Sequence, residues 1–333
     1  MTKVPHLSGD LASSLLAVSP AGPGTYGIAM TTARAFGTCG HFEVGGANVP
    51  EFQLSAVSVT SDDGRAWATA TMPECGVVTS LSLVNSHDGF VLTRPGGGSS
   101  SKPTLLDSTT DGGRTWQVIG PAPRVSEVFF SSANVGLGFS TLDQTRAVIE
   151  RTTNGGRTWA AVALPLPAGY RGGEVALGTP TLFGAEDGVV DVVAQTSGHQ
   201  GVDRLVVDVT RDGGRSWTTA PSPTDVNLAG YSPGPDDGPI ADQVVPFSAA
   251  SMTTWVLLLG PTIYETVNGG GSWTKVKPDP YWPAGTVMRV AFTSASRGWA
   301  FGAFTGTQTG SGEVVATTDS GRVWRAITTS VAS

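Results

Sequence analysis

Three observations predict an all-β chain that folds as a six-bladed β-propeller with four-stranded antiparallel blades. One eight-residue motif occurs six times along the 333 residues. A looser pattern of apolar and small polar residues precedes this motif. Charged residues make up only 14% of the chain, while glycine occurs 45 times. Such a composition favours many short strands joined by tight turns.

The repeated motif, called the box turn below, begins with threonine and ends with tryptophan. Its six copies are residues 60–67, 109–116, 152–159, 210–217, 266–273 and 317–324. The closing tryptophans are 49, 43, 58, 56 and 51 residues apart. This period is too long for a repeat of two helices and fits four strands per repeat.

Each position of the box turn has a physical role. The third residue accepts backbone hydrogen bonds within its own turn, and the glycine two residues later can adopt the positive φ that the bend requires. The leading threonine hydroxyl can add a local hydrogen bond. The tryptophan ring is large enough to fill the space between neighbouring sheets. We therefore assign a structural role to the third residues, Asp62, Asp111, Asn154, Asp212, Asn268 and Asp319.

The looser pattern places an apolar residue before five or six mostly small polar residues and a short apolar strand. Clear copies are residues 83–90, 130–139, 182–189 and 292–301. We interpret it as the hairpin between the first and second strands of a blade, with the box turn between the third and fourth. A lone four-stranded sheet would expose apolar surface, so the blades must pack around an axis. We predict one domain, 1–333, with blades at 11–70, 71–119, 120–162, 163–220, 221–276 and 277–330.

The box turn resembles the Asp box, or BNR repeat, of bacterial sialidases. This motif recurs in xyloglucan hydrolases, sortilin-type receptors and photosystem II assembly factors. The resemblance runs from about Ser13 to Thr329 and implies the propeller fold. It implies no single activity, because these families include enzymes, receptors and chaperones. The sialidase Arg-Ile-Pro motif is absent before the first box turn, so no sialidase catalytic residue is carried over.

Antiparallel connectivity sorts the loops into two sets. The hairpins and box turns lie at one end of each blade, and the remaining connections lie at the other, which we call the loop face. The long connections fall on the loop face: 31–53, 93–103 and 195–203 within blades, and 163–174, 220–242 and 277–288 between blades. Binding residues often lie on long loops held by a rigid scaffold.

These connections supply the candidate ligand-binding residues: Tyr170, Arg171, Tyr231, Asp236, Asp237, Tyr281 and Trp282. Tyr281 and Trp282 stand between prolines, and such a stiff aromatic pair can stack on a sugar ring or anchor a peptide. The alternative is that one of these rings fills the gap between blades 5 and 6. The same connections contain Glu174 and Asp242, which are candidate catalytic carboxylates.

Two charged residues are expected on the first, innermost strands. Counting back three from the apolar residue of the looser pattern gives Glu127 in blade 3 and Arg289 in blade 6, where Ser80 and Thr179 stand in other blades. Blades 3 and 6 oppose each other in a six-membered ring, so Glu127 and Arg289 would face across the channel. They form either a solvated pair or part of a ligand site. With Glu174 and Asp242, Glu127 completes the catalytic candidates, since glycosidases use two carboxylates about 5–10 Å apart.

Charge and composition exclude several partners and cofactors. The net charge is −7, the pI is near 5.1 and no block of Lys and Arg occurs, so we predict no nucleic-acid partner and no polybasic membrane anchor. No apolar run reaches the roughly 18 residues of a membrane span. The four histidines are scattered and the two cysteines lack a His/Cys cluster, so we predict no metal and no cofactor.

The two cysteines, Cys39 and Cys75, fall in the first two loop-face connections. We predict a disulfide between them, which would stabilise the fold by about 3–4 kcal/mol; the alternative is two free thiols in a reducing cytoplasm. A disulfide implies a secreted or cell-surface protein. The first residues lack the layout of a signal peptide, so we expect a leader to have been removed, with a cytoplasmic protein as the alternative.

These features favour a secreted, monomeric binding or scaffold propeller that recognises a glycan or a protein through its loop face. The alternative is a glycan-active hydrolase or lyase that uses carboxylates at the mouth of the channel. Whether the protein is an enzyme is left open by the sequence, because it contains no complete catalytic motif.

Overall fold

The computed structural model describes residues 14–22, 25–31, 38–44, 47–53, 55–62, 65–74, 76–95, 103–140, 147–170, 172–196, 204–221, 245–259, 262–277, 285–304 and 313–326. In these ranges the regular secondary structure consists of β-strands. No helix there is long and apolar enough to cross a membrane. The chain divides into two compact units, residues 1–140 with 148–162, and residues 141–147 with 163–333.

The first unit contains three antiparallel sheets and a hairpin. Sheet 1 has the order β1-β2-β5-β6, and the hairpin β3–β4 is inserted between β2 and β5. The bounds are β1 (Ser14–Gly22), β2 (Thr25–Thr31), β3 (Thr38–Val44), β4 (Ala47–Gln53), β5 (Ser55–Thr60) and β6 (Ala68–Thr71). Sheet 2 comprises β7 (Gly76–Leu83), β8 (Gly89–Pro95), β9 (Leu105–Thr109) and β10 (Gln117–Pro121). Sheet 3 comprises β11 (Glu127–Phe130), β12 (Gly136–Phe139), β13 (Val148–Thr152) and β14 (Ala160–Ala163).

The second unit also contains three antiparallel sheets. Sheet 4 comprises β15 (Gly173–Leu177), β16 (Thr181–Phe183), β17 (Asp187–Thr196), β18 (Arg204–Thr210) and β19 (Thr218–Ala220). Sheet 5 comprises β20 (Phe247–Ala249), β21 (Trp255–Leu259), β22 (Thr262–Thr266) and β23 (Thr274–Val276). Sheet 6 comprises β24 (Gly285–Phe292), β25 (Gly298–Phe304), β26 (Glu313–Thr317) and β27 (Arg325–Ala326).

Sheet 4 has five strands because its inner strand is broken. Both β15 and β16 pair with β17, and residues 178–180 interrupt the ladder between them. The centre of β17 is buried on both sides, with Val189, Val190, Val192 and Val193 all at 0% exposure. Burial on both sides explains why valines occupy both faces of this strand, and only Asp191 interrupts the apolar run.

The register is the same in all six sheets. The threonine that opens each box turn pairs with a residue near the start of the second strand, as in Gly89–Thr109, Gly136–Thr152 and Gly188–Thr210. The opposite end of each sheet therefore holds the loop-face connections. In sheet 1 the hairpin β3–β4 lies at the loop-face end. The start of β2 pairs with Thr60 at the box-turn end, and its last residue, Thr31, pairs with Ser55 at the opposite end, where the hairpin is inserted. The connection predicted as a loop at 31–53 thus contains a two-stranded ribbon.

Apolar side chains join neighbouring sheets within each unit. Between sheets 1 and 2 they are Val57, Val59, Val78, Leu81, Val91 and Trp116. Between sheets 2 and 3 the Phe90 and Phe130 rings stack with centroids 3.6 Å apart. Sheets 4 and 5 share two clusters, one around Val193 and Leu257 and one around Val189 and Trp255.

The fifth residue of the box turn is glycine in all six copies and is also a contact between sheets. A Cβ added to Gly156 would lie 2.0 Å from Leu106 Cδ2 of the preceding sheet. At Gly113 it would lie 2.6 Å from Val59 Cγ2, and at Gly321 2.8 Å from Ile263 Cδ1. The glycine is therefore required by close packing as well as by its positive φ.

Candidate functional site

The box-turn carboxylates are committed to their own turns. Asp111 accepts hydrogen bonds from the Thr115 hydroxyl (2.7 Å), the Thr115 amide (2.9 Å) and the Arg114 amide (3.0 Å). Asp212 is bound in the same way by Ser216 and Arg215. These bonds lower the pKa of each carboxyl to about 2, with the side-chain hydroxyl as the largest cause. An anion held this firmly by donors is a structural element rather than a proton donor or a nucleophile.

The asparagine box turns form the same structure without a charge. Asn154 Oδ1 accepts from the Thr158 amide (2.9 Å) and its Nδ2 donates to the Thr158 hydroxyl (2.8 Å). Asn268 makes the equivalent pair of bonds with Ser272. The turn thus depends on the side-chain geometry that Asp and Asn share.

The candidate Glu127 begins an inner strand at the loop-face end of its sheet. It is half-buried, is the first residue of β11 and pairs with Phe139. The aligned apolar residue Phe130 pairs with Gly136, and Phe292 pairs with Gly298 in the equivalent position of sheet 6. Arg289 lies in β24 opposite Phe301, immediately after a bulge; only its backbone is described.

The candidate Glu174 lies in a strand and not in the connection 163–174 where the sequence placed it. It is the second residue of β15, is half-buried and pairs with Gln195. The reason is that Gly173–Leu177 can pair fully with β17 while it buries Val175 and Leu177. Like Glu127, it stands at the loop-face end of an inner strand.

The aligned position Thr179 falls in the break between β15 and β16, within residues 178–180. It is exposed, whereas Gly178 and Pro180 on either side are buried. The inner strand of sheet 4 therefore departs from regular pairing at the position that Glu127 occupies in sheet 3.

The Tyr170 side chain forms a hydrogen bond within the loop that contains it. Its hydroxyl donates to the Gly173 carbonyl at 2.9 Å, and burial raises the pKa of the phenol. Gly169 and Gly172 have positive φ on either side of it, so the ring closes a tight loop before β15. This tie supports a structural role for Tyr170 in presenting Glu174.

Several predicted site residues lie outside the described part of the chain. They are Arg171, Tyr231, Asp236, Asp237, Asp242, Tyr281 and Trp282, together with Cys75. Cys39 lies in β3 opposite Phe52, but its side chain is not described. Their assignments stay predictions.

Asp191 carries a buried carboxyl group that was not among the residues predicted from the sequence. It is 1% exposed, and among the described residues its Oδ2 atom has no hydrogen-bond partner. Burial raises its pKa to about 7. A Cβ added to Gly178 would lie 1.7 Å from Asp191 Oδ1, so the carboxyl group occupies the space beside the break in the inner strand. The sequence does contain a signal, since Asp191 interrupts the apolar run 189–193.

Two further buried carboxyl groups occupy one repeat position, four residues before the third residue of the box turn. Asp107 accepts from the Thr93 hydroxyl at 2.8 Å, and Asp208 accepts from the Thr219 hydroxyl at 2.7 Å. Both are fully buried, and desolvation raises each pKa to about 6. In sheet 1 the same position is Ser58, which shares a hydrogen bond with Thr69. This position is a repeated polar contact within the sheet.

Glu174 and Asp191 lie on the same side of sheet 4 but at different positions along it. Glu174 pairs with Gln195, so both side chains lie on the side of the sheet that carries Asp191. Gln195 is four residues from Asp191, which is about 13 Å at roughly 3.3 Å per residue.

An open groove of about 520 Å³ lies between sheets 1 and 2 at the box-turn end. It is lined by Thr69, Ala70, Thr71, Arg114, Thr115 and Trp116. The Thr69 and Thr115 hydroxyls already bond to Ser58 and Asp111, and Arg114 Nη1 donates to the Asp111 carbonyl at 2.6 Å. The described residues contain no group of three His, Cys, Asp or Glu side chains able to hold a metal ion.

The sequence and the structure were compared with those of known proteins, and the structural similarity identifies the fold. No protein-family model and no curated protein matches the sequence. The structure is similar to that of YCF48 bound to a D1 peptide, at 14% identity over 94% of this chain and 80% of that chain, with a TM-score of 0.51. It is also similar to the β-propeller domain of the Trilobed protease from Pyrococcus furiosus, at 9% identity over 91% of this chain and 82% of that one, with a TM-score of 0.54.

A third similar structure belongs to an enzyme, the GH74 xyloglucanase from Xanthomonas campestris. The identity is 13% over 93% of this chain, which spans only 46% of that enzyme, and the TM-score is 0.54. Identities this low show the fold alone. The chain is thus a β-propeller with antiparallel four-stranded blades.

Proposed function

We propose that this protein is a six-bladed binding propeller that holds a protein partner through its loop face. The observation that carries the proposal is the hairpin β3–β4, inserted at the loop-face end of sheet 1. Box turns, in contrast, use their polar atoms internally, as Asp111 and Asp212 do. We therefore place the binding site at the opposite end of the sheets, where the hairpin lies.

The hairpin has a geometry that suits an extended peptide. In the described part of the chain β3 and β4 pair only with each other, so each strand keeps an outer edge of backbone donors and acceptors. An extended segment can add to such an edge by main-chain hydrogen bonds. YCF48, a propeller of similar fold, has been solved with a bound peptide, which supports a peptide over a glycan as the first ligand to test.

Export is part of the same proposal. The strand β4 contacts β7, whose first residue directly follows Cys75, and β3 contains Cys39. This neighbourhood supports a Cys39–Cys75 disulfide that would fasten the hairpin to sheet 2. A disulfide is compatible with a secreted or cell-surface monomer and not with a reducing cytoplasm.

The test is a binding screen of the full chain against arrays of extended peptides and of glycans. In a matched variant, residues 38–53 are replaced by two glycines. We expect peptide binding that falls at least about tenfold in this variant, which is a loss of about 1.4 kcal/mol. The control is Arg211→Ala, which removes only the exposed Arg211–Asp187 ion pair (3.0 Å) and should bind normally.

The glycan-active alternative is tested in the same preparation. Polysaccharides and aryl glycosides are incubated with the wild type, Glu127→Gln and Glu174→Gln. Binding without turnover supports the proposal. Turnover that either substitution abolishes would instead establish a hydrolase or lyase and overturn it.

A further inference from the structure

The buried carboxyl group of Asp191 lies in the contact between sheets 4 and 5. It stands on β17 between Val189 and Val193, and alternation puts all three side chains on one side of the strand. Val189 packs with Ala249 and Trp255, and Val193 with Val245 and Leu257. Phe247 packs against both groups. Asp191 is therefore covered by sheet 5 on one side and by residue Gly178 of the broken inner strand on the other.

No described cation lies close to this carboxyl group. On its own strand, Asp187 shares its side of the sheet but is four residues away and is paired with Arg211. On β15 the titratable group is Glu174, about 13 Å along the sheet. The strands β16, β18, β20 and β21 contribute only apolar or hydroxyl side chains to this side. Sheet 5 adds Tyr264, with the Lys275 ammonium 5.6 Å from the centre of its ring.

The carboxyl group must be neutralised by a proton rather than by a metal ion. An unpaired carboxylate in an apolar contact is costly, and the usual response is protonation. A multivalent cation would need further ligands, and no group of three acidic, histidine or cysteine side chains occurs among the described residues. Proton uptake satisfies the charge without any additional side chain.

We propose that Asp191 makes the contact between sheets 4 and 5 a proton-controlled joint, closed when its carboxyl group is protonated and loosened when it is ionised. The break at residues 178–180 is where the joint opens, because the pairing of the inner strand with β17 stops after Leu177 and resumes at Thr181. Gly178 lies in this break directly beside the Asp191 carboxyl group, and its amide donates to the Asp191 carbonyl (3.0 Å).

The pH range of the joint follows from the two states of Asp191. In the closed state burial raises its pKa to about 7, whereas in an opened, solvated state the ordinary value of 3.8 applies. Below pH 3.8 both states are protonated and opening is independent of pH. Between about pH 4 and 7 only the open state releases the proton, so opening rises by up to tenfold per pH unit. Above pH 7 both states are ionised and the effect levels off.

One consequence rests on the proposed binding function. Glu174 lies on the same inner strand, β15, so opening of the joint displaces a residue of the candidate loop face. Ligand affinity would then decrease between pH 5 and 7. The opening itself is measured without any ligand, so failure of the binding proposal leaves the joint testable.

The test is hydrogen exchange of the wild-type protein at pH 5, 6 and 7, corrected for the intrinsic pH dependence of amide exchange. The reporters are the amides of β15, β20 and Gly178. We expect their opening constants to rise by about fiftyfold across this range. A flat profile in the wild type would overturn the proposal.

Two substitutions assign the effect to Asp191. Asp191→Asn is neutral at every pH and should remove the rise. Asp208→Asn removes the buried carboxyl group on the opposite side of sheet 4. The rise of the opening constants with pH should persist in this variant. A rise that persists in Asp191→Asn, or that vanishes in Asp208→Asn alone, contradicts the joint. If Asp191→Asn does not fold, the profiles of the wild type and of Asp208→Asn decide the question.

Discussion

The hydroxyl oxygen of Ser82 accepts a hydrogen bond from the backbone amide of Phe130 at 2.8 Å. The two residues belong to the inner strands β7 and β11 of neighbouring sheets. In the second unit Ser248 and Phe292 form the same bond at 2.8 Å. An inner strand has a neighbouring strand on one side only, so its outer amides need another acceptor. A serine of the preceding sheet supplies it.

We predict that Ser82→Ala destabilises the fold by about 1–3 kcal/mol, because it leaves the buried Phe130 amide without an acceptor. Ser82 is only 3% exposed, so water would not replace the hydroxyl readily. Urea unfolding followed by tryptophan fluorescence measures the change. The control is Ser61→Ala, an exposed box-turn residue, which should stay within about 0.5 kcal/mol of the wild type. Equal effects of the two substitutions would show that the bond contributes nothing.

The packing of Gly156 on Leu106 leads to a second prediction. Alanine at 156 would meet Leu106 Cδ2 at 2.0 Å and would hold a φ of +83°. We expect Gly156→Ala to cost about 3 kcal/mol, from backbone strain and from overpacking together. Gly169 separates the two causes, because its φ is +81° and no atom lies within 4 Å of an added Cβ.

Gly169→Ala should therefore cost only the strain, about 1–2 kcal/mol. The difference between the two free energies of unfolding gives the contribution of the sheet contact. A double variant with Leu106→Ala should recover part of the loss at 156, because it removes the atom that the new methyl group would meet. No recovery in that variant would mean that the contact between sheets is not the cause.

These glycines show how far the sequence could predict the fold. The period of the motif and its turn chemistry predicted four antiparallel strands per sheet, because both are local properties of the chain, but not the hairpin β3–β4 or the division of the inner strand into β15 and β16. The contact of Gly156 with Leu106 joins different sheets, so no local pattern contains it. The same limit explains why Glu174 was predicted in a loop and not in a strand. Its pairing with Gln195 depends on β17, which follows later in the chain.

The candidate site was less predictable than the fold. Side-chain chemistry pointed to Glu127 and to Tyr170, but the bond from Tyr170 to Gly173 is set by the backbone of its own loop. Asp191 was missed because an isolated Asp in a valine run resembles an exposed position of an alternating strand. Its burial results from the packing of sheet 5 on that side of β17, which only the tertiary structure reveals.

A third prediction concerns the cysteines. If Cys39 and Cys75 form a disulfide, a thiol reagent added to the unfolded, unreduced protein should label neither of them. Reduction should then expose two thiols and lower the stability by about 3–4 kcal/mol. Two reactive thiols before reduction would refute the bridge and, with it, the main support for export.

A fourth prediction uses Asp208, whose pKa is raised by burial to about 6. The pKa in the folded protein lies above the ordinary 3.8. Asp208 therefore contributes most to the stability of the fold below pH 3.8, and this contribution is lost as the pH rises to about 6. Asp208→Asn keeps an oxygen that can accept from Thr219 and removes the charge. We expect it to stabilise the protein by up to about 3 kcal/mol at pH 7 and to have little effect at pH 4. Destabilisation at both pH values would show that the hydrogen bond of the carboxyl group outweighs its desolvation.

The last prediction concerns Asp111, at which the dependence of stability on pH should be opposite to that at Asp208. Hydrogen bonds from Thr115 lower its pKa to about 2, so its contribution is present above pH 3.8 and is lost as the pH falls towards 2. Asn154 and Asn268 already fill this position in other box turns, so Asp111→Asn should fold normally and lose only this pH dependence. Asp111→Ala removes the acceptor for Thr115 and Arg114 and should cost about 1–2 kcal/mol at pH 7. Urea unfolding at pH 3 and pH 7 compares the two variants, and equal stabilities at pH 7 would mean that the turn holds its shape without the side-chain oxygen.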